Sequence, residues 1–168
     1  MKGLQFYALA LALTLAGCYA PPEPPALEAG TAIPVRYATF DRYSPNDFKR
    51  IEEYFTDKEA TGRQLLLRSD PAERGGAYLT LGLESCDLPA GTTIELFYCL
   101  PATTGYFHRQ WTLEKSFAAD RFHEIMIGIT DCGNAVPNAW RFVITAPDGT
   151  RLAARSSFLW STYNGKQN

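Results

Sequence analysis

The sequence predicts an all-β sandwich of about seven antiparallel strands, preceded by one amphipathic helix and a proline-rich tether. First, short runs such as 79–83, 125–129 and 140–144 alternate between large apolar residues and other residues. A period of two indicates strands with one buried face and one solvated face. Second, turn-forming residues separate these runs, as in Pro147-Asp148-Gly149. Third, 168 residues with 13% aromatic side chains are enough for one domain with its own core.

The N-terminal residues 1–17 predict a secretory signal. Lys2 supplies one positive charge, and residues 3–16 carry none. The apolar stretch is about a dozen residues long, whereas a membrane-spanning helix needs about 20. A basic start, a short apolar stretch and small residues at its end are typical of a signal peptide. A buried helix of the fold is the alternative interpretation.

The stretch Leu15-Ala16-Gly17-Cys18 resembles the lipobox of bacterial lipoproteins. The resemblance implies cleavage between Gly17 and Cys18, a diacylglyceryl group on the Cys18 thiol and, in many bacteria, N-acylation. Two or three fatty acyl chains such as palmitate would anchor the protein firmly, because each buried CH₂ contributes about 0.8 kcal/mol. Tyr19, which follows the cysteine, implies sorting to the outer membrane of a Gram-negative bacterium, on the periplasmic side or at the surface.

Residues 18–43 predict an extended linker between this anchor and the domain. Five prolines lie within residues 19–34 and favour polyproline-like structure. A poorly ordered tail is the alternative. The chain has 16 basic and 18 acidic side chains, so its charge gives no attraction to nucleic acid.

Residues 44–62 predict one amphipathic helix. Ser44 is a suitable N-cap and Pro45 suits the first helical position. An apolar stripe follows at helical spacing and Gly62 is a plausible end. The stripe consists of Phe48, Ile51, Tyr54 and Phe55. We expect it to pack on the domain that follows, and a partner-binding helix is the alternative.

Residues 63–163 predict the sandwich itself, with a tail over 164–168. The expected strands cover residues 63–69, 77–84, 93–100, 105–113, 122–130, 139–146 and 151–160. Their number and spacing resemble those of immunoglobulin-like and fibronectin type III domains, while a small β-barrel is the alternative fold. The resemblance is architectural and names no functional family.

An immunoglobulin-like topology implies a pairing for the cysteines. It places Cys99, at the end of the third strand, and Cys132, before the sixth strand, at the same end of the sandwich. A Cys99–Cys132 disulfide would follow, with Cys86 left as a thiol at the opposite end. The alternative is that all three cysteines are reduced and mostly buried.

The sequence offers no catalytic constellation, metal site or cofactor motif. His108 and His123 are expected at separate strand positions rather than in one site. The candidate binding residues are aromatic. Phe97 is expected to face outward because the apolar residues on either side of it should point into the core. Tyr106 and Trp111 are an odd number of residues apart on one predicted strand, so one of them should face outward.

These observations predict a lipid-anchored envelope protein whose β-sandwich binds or supports another envelope component without enzymatic activity. A carbohydrate-binding module that recognises an envelope glycan is the alternative. An enzyme of unrecognised type is the second alternative.

Overall fold

The computed structural model describes residues 31–84, 86–119, 123–133 and 135–160. The predicted signal 1–17, the lipidation site Cys18, the first part of the linker and the tail 164–168 lie outside the described residues. No helix in the described part of the chain has the length and apolar character needed to cross a membrane.

The described residues form ten strands and two short helical segments, and residues 158–160 after the last strand are also helical. The strands are β1 (Val35–Tyr43), β2 (Leu65–Arg68), β3 (Gly76–Leu83), β4 (Cys86–Leu88), β5 (Thr93–Cys99), β6 (Phe107–Thr112), β7 (Phe117–Ala119), β8 (Ile125–Ile129), β9 (Ala139–Thr145) and β10 (Arg151–Ser156). The helical segments are a 3-10 helix (Pro45–Phe48) and a single α-helical turn, α1 (Glu53–Thr56).

The strands make two four-stranded sheets and one small ribbon. The first sheet has the order β1-β3-β8-β2, the second has the order β10-β9-β5-β6, and β4 pairs with β7 in the ribbon. All pairs are antiparallel except β2 with β8, which run parallel. The segment between β1 and β2 therefore connects the two opposite edges of the first sheet.

One apolar core lies between the two sheets, and this arrangement is consistent with a β-sandwich. The first sheet contributes alternate residues of β3 and β8, and the second contributes alternate residues of β5 and β9. These residues are Leu79, Leu81, Leu83, Ile125, Ile127, Ile129, Ile94, Leu96, Tyr98, Trp140, Phe142 and Ile144. Burial of each such side chain contributes about 1.5–3 kcal/mol before the entropic cost of ordering it.

Each of the seven predicted strand ranges contains a strand, but the expected count of seven was too low. The largest addition is β1, which lies inside the predicted linker 18–43. It pairs with β3 along almost its whole length, and Ala38 and Phe40 pack against the core. The domain therefore begins earlier than predicted, before residue 44.

The predicted helix over residues 44–62 was wrong in extent. Its start is as expected, since Pro45 opens a helical segment and the Ser44 amide donates to the Asp47 carboxylate at 2.6 Å. That segment ends at Phe48, and the later α1 ends at Thr56, where the next residue, Asp57, has a left-handed φ of 56°.

Two tyrosines cover glycines on the outer side of the first sheet. Tyr78 of β3 lies over Gly128 of β8, its cross-strand partner, and Tyr37 of β1 lies over Gly82 of β3. A Cβ at either glycine would overlap the ring. These glycines thus make room for aromatic side chains that close this face.

Candidate functional site

The predicted binding aromatics divide between the two faces of the second sheet. Phe97 points away from the core, as its parity indicates, and packs with Tyr106 at a centroid distance of 6.1 Å. Trp111 packs against the core instead, and its Nε1 donates to the Arg68 carbonyl at 3.0 Å. The structure brings together Phe97 and Tyr106, and it places Trp111 apart from them.

The outward direction of Phe97 does not make it accessible. Its side chain is only 2% exposed because other side chains cover the outer face of the second sheet. The ring of Trp160, which follows β10, lies 6.4 Å from it, and the imidazole of His108 stacks on it at 4.4 Å. Phe97 therefore belongs to a second, smaller apolar cluster rather than to an open platform.

The polar part of this outer face surrounds that cluster. His108 Nε2 lies 3.1 Å from a carboxylate oxygen of Glu95, which lies on β5 two positions before Phe97, the cross-strand partner of His108. Arg141 of β9 is the cross-strand neighbour of Phe97. His123 lies elsewhere, before β8 and against Phe117, so the two histidines do not share a site.

The predicted Cys99–Cys132 disulfide is not formed. No disulfide joins the described cysteines Cys86, Cys99 and Cys132. Cys99 packs with Phe97 on the outer side of β5, whereas Cys132 packs against the core and lies 3.8 Å from the Tyr98 hydroxyl. Successive strand residues point to opposite faces, so Cys99 and Cys132 approach the second sheet from opposite sides.

A polar cluster around Asp131 lies at the same end of the sandwich as Cys132. The Asp131 carboxylate accepts a hydrogen bond from Ser69 Oγ at 2.6 Å and another from Arg109 Nη2 at 2.6 Å. Burial opposes ionisation, but these bonds outweigh it and lower the pKa of Asp131. Burial raises the pKa of the Cys132 thiol, which disfavours the reactive thiolate. This cluster therefore links the two sheets through hydrogen bonds, and its thiol is not activated as a nucleophile.

The connection between β1 and β2 exposes three large apolar side chains, which we call the apolar tip. The exposed fractions are 77% for Ile51, 76% for Tyr54 and 84% for Phe55. The expected packing of this stripe on the domain was thus wrong for these three residues, and only Phe48 is buried. Phe48 lies 4.8 Å from Tyr78 between ring centroids.

Ion pairs hold the base of the apolar tip against the first sheet. Arg74, just before β3, donates to Glu53 of α1 at 2.7 Å, and Arg68 of β2 pairs with Glu59. The hydrogen bond from Arg74 lowers the pKa of Glu53, and that from Arg68 lowers the pKa of Glu59. Glu53, Tyr54 and Arg74 also line a cleft of about 490 Å³ beside the tip.

Sequence reasoning identified the tip residues but assigned them to the wrong environment. It missed Arg141 altogether, although one charge inside the otherwise uncharged run Ala139–Thr145 was a visible signal. Among the described residues, no three His, Cys, Asp or Glu side chains are grouped so that they could hold a metal ion.

Comparison with known proteins adds no assignment: no family model, curated protein or solved structure matches the chain.

Proposed function

We propose that this protein is a lipid-anchored component of the bacterial cell envelope whose domain binds another envelope protein without catalysing a reaction. The observation that carries the proposal is the apolar tip. Ile51, Tyr54 and Phe55 stand more than three-quarters exposed on one short connection. Clustered exposed apolar side chains mark interaction surfaces more often than they occur without a role.

The contacts that hold the apolar tip on the domain indicate an ordered binding surface rather than a flexible loop. The ion pairs of Glu53 and Glu59, with the buried ring of Phe48, fix the connection on both sides of the exposed residues. A pre-ordered surface loses less conformational entropy when a partner binds. Aromatic residues are also enriched at the centres of protein interfaces.

A protein partner is favoured over a glycan by the position of the aromatic residues. A glycan platform needs several exposed rings side by side, but Phe97 and Tyr106 lie in a covered cluster. Tyr54 and Phe55 are adjacent residues of one helical turn, α1, so their side chains leave it in different directions.

The proposal includes an immunoglobulin-like fold type. The orders β1-β3-β8 and β10-β9-β5-β6 correspond to strands A-B-E and G-F-C-C′ of such domains. In this interpretation β2 takes the edge position of strand D, although it precedes strand B in the chain and pairs in parallel with β8.

The membrane anchor is tested by intact mass spectrometry. The full chain is expressed with its native N-terminus, and the membrane fraction is compared with that of Cys18→Ser. Cleavage after Gly17 with added acyl chains, lost in the variant, supports the anchor. A soluble, unacylated product from the wild-type gene would overturn it.

The binding surface is tested by cross-linking in envelopes that contain the full chain. Ile51→Ser/Phe55→Ser is compared with Phe158→Ser, a matched control because Phe158 is 86% exposed outside the tip. We expect one cross-linked partner to be lost in the double variant and retained in the control. Equal cross-linking of both variants, or turnover of an envelope substrate by the purified chain, would contradict the proposal.

A further inference from the structure

A buried arginine on the outer face of the second sheet lacks partners for two of its donors. The Arg141 side chain lies on β9 and only 3% of the residue is exposed. Its Nε and Nη2 atoms have no hydrogen-bond partner in the part of the chain that the structure describes. Buried polar atoms are nearly always hydrogen-bonded, and a buried charge without partners is especially costly.

The charges nearby do not supply these missing bonds. Burial lowers the pKa of Arg141, Arg151 acts in the same direction, and Glu95 acts against both. The carboxylate of Glu95 is engaged by His108 at 3.1 Å. Glu95 therefore moderates the local potential without providing the two acceptors that the guanidinium needs.

The positions of the two donors indicate what would satisfy them. Nε and Nη2 lie on one edge of the planar guanidinium and direct two roughly parallel N–H bonds. A carboxylate presents two oxygens with the matching separation, so it can accept both bonds at once.

The surroundings of Arg141 indicate the rest of the ligand. Its cross-strand neighbours are the ring of Phe97 on β5 and the small side chain of Ser156 on the edge strand β10. Phe97 packs with Tyr106 and Trp160, so aromatic side chains lie on one side of Arg141. We propose that Arg141 binds the carboxylate of a ligand whose remaining surface is apolar, at a site on the outer face of the second sheet.

Access to this site requires movement, because both donors are closed to solvent. Trp160, four residues after the end of β10, packs with His108 and Tyr106 around the neighbouring Phe97. A ligand therefore reaches Arg141 only if Trp160 and the side chains packed with it shift. We expect association well below the diffusion limit, as is usual when binding needs a conformational change.

The test uses benzoate as the probe and the full chain in an uncharged detergent. Thermal unfolding is measured against increasing sodium benzoate, with sodium chloride at equal ionic strength as the reference. We expect benzoate to raise the midpoint of the wild-type chain and of Arg155→Met, which removes an exposed guanidinium from β10. In Arg141→Met the benzoate affinity should fall about ten- to a hundredfold, as for loss of bonds to a charged donor.

Two further measurements keep the result interpretable if Arg141→Met folds poorly. Arg141→Lys keeps the charge but not the two parallel donors, so its affinity should also fall. In the wild-type chain labelled with ¹⁵N-arginine, one Nε–H resonance that is absent from Arg141→Lys should shift with benzoate.

Specific outcomes would overturn the proposal. They are a benzoate response no larger than that to chloride, or a response that Arg141→Met and Arg141→Lys retain in full. Glucuronate tests the apolar part, since it carries the same carboxylate on a sugar ring. Binding of glucuronate as tight as that of benzoate would overturn the expected apolar surface of the ligand.

Discussion

Two buried arginines occupy the outer faces of the two sheets, and their surroundings differ. Arg68, on the first sheet, donates from Nε to the Tyr78 hydroxyl at 3.0 Å and from both terminal nitrogens to Glu59. Its guanidinium also lies 5.4 Å from the ring centroid of Phe48. Arg141, on the second sheet, has two buried donors without partners among the described residues.

The difference separates an arginine that stabilises the fold from one that does not. Arg68 connects β2, β3 and the segment that crosses the first sheet. Its hydrogen bonds within the chain therefore offset the cost of burying its charge. Arg141 makes no such connection in the described residues, and its burial is a cost to the folded state. Arg68 therefore helps to cover the outer face of the first sheet, whereas Arg141 indicates a binding site on the outer face of the second sheet.

The largest effect should come from removing the partnered arginine. Arg68→Met leaves Glu59 without its main partner and removes one of the two hydrogen bonds of the Tyr78 hydroxyl. It should lower the free energy of unfolding by about 3 kcal/mol. Arg141→Met, without added ligand, should leave it unchanged or raise it by about 1 kcal/mol. Urea unfolding of both variants measures the difference. A loss of stability in Arg141→Met equal to that in Arg68→Met would remove the distinction between the two faces.

A smaller loss is expected where the first sheet has no room for a methyl group. Gly128→Ala forces the buried Tyr78 ring to move, and should cost about 2 kcal/mol. Gly82→Ala, beneath Tyr37, should cost less because Tyr37 is half-buried on an edge strand and can shift. Urea unfolding measures both, and a larger loss in Gly82→Ala would contradict this account of the closed face.

Acid should weaken the closed face through Glu59. The Arg68 hydrogen bond lowers the pKa of Glu59 in the folded state, so the folded chain binds this proton less readily than the unfolded chain. Its contribution is complete above the unfolded pKa of about 4.3 and is lost as the pH falls through the folded pKa. Urea midpoints measured below about pH 5 should therefore fall less steeply in Glu59→Gln than in the wild type. The exposed Glu84→Gln serves as the control, and an unchanged slope in Glu59→Gln would exclude the effect.

The smallest effect on stability is expected at the apolar tip. Phe55→Ser should change the free energy of unfolding by no more than about 0.5 kcal/mol, because the side chain already contacts solvent. Phe48→Ser on the same connection loses buried contacts with Tyr78 and Arg68 and should cost several times more. Comparable losses in the two variants would show that the tip is not an open surface in solution.

The strands could be predicted where apolar residues alternate with other residues along the strand. Leu79, Leu81 and Leu83 alternate because one face of β3 meets the core, and the same holds for β8 and β9. β1 was missed because its outward positions, such as Thr39 and Asp41, are polar and its inward residues, Val35, Ala38 and Phe40, do not form a regular apolar alternation. An edge strand whose inward residues are few and irregularly spaced gives too weak a pattern to separate it from a linker.

The connection after β1 shows a different limit of sequence reasoning. The spacing of Phe48, Ile51 and Tyr54 fits a helical stripe, but only the first of them reaches the face formed by Tyr78 and Met126. The position of that face depends on pairing between strands that are distant in the chain, which no local pattern contains. That Arg141 Nε and Nη2 find no acceptor among the described residues is likewise a property of the assembled sheet.

The position of β2 also has a consequence for how the chain folds. Among the strands that the structure describes, it pairs only with β8, in parallel, through residues about sixty positions further along the chain. It adds to an edge that exists only after β3 and β8 have met, since closing so long a loop is costly until other contacts support it. β2 should therefore be the last strand of its sheet to assemble and the first to detach, so its backbone amides should exchange hydrogen faster than those of β3.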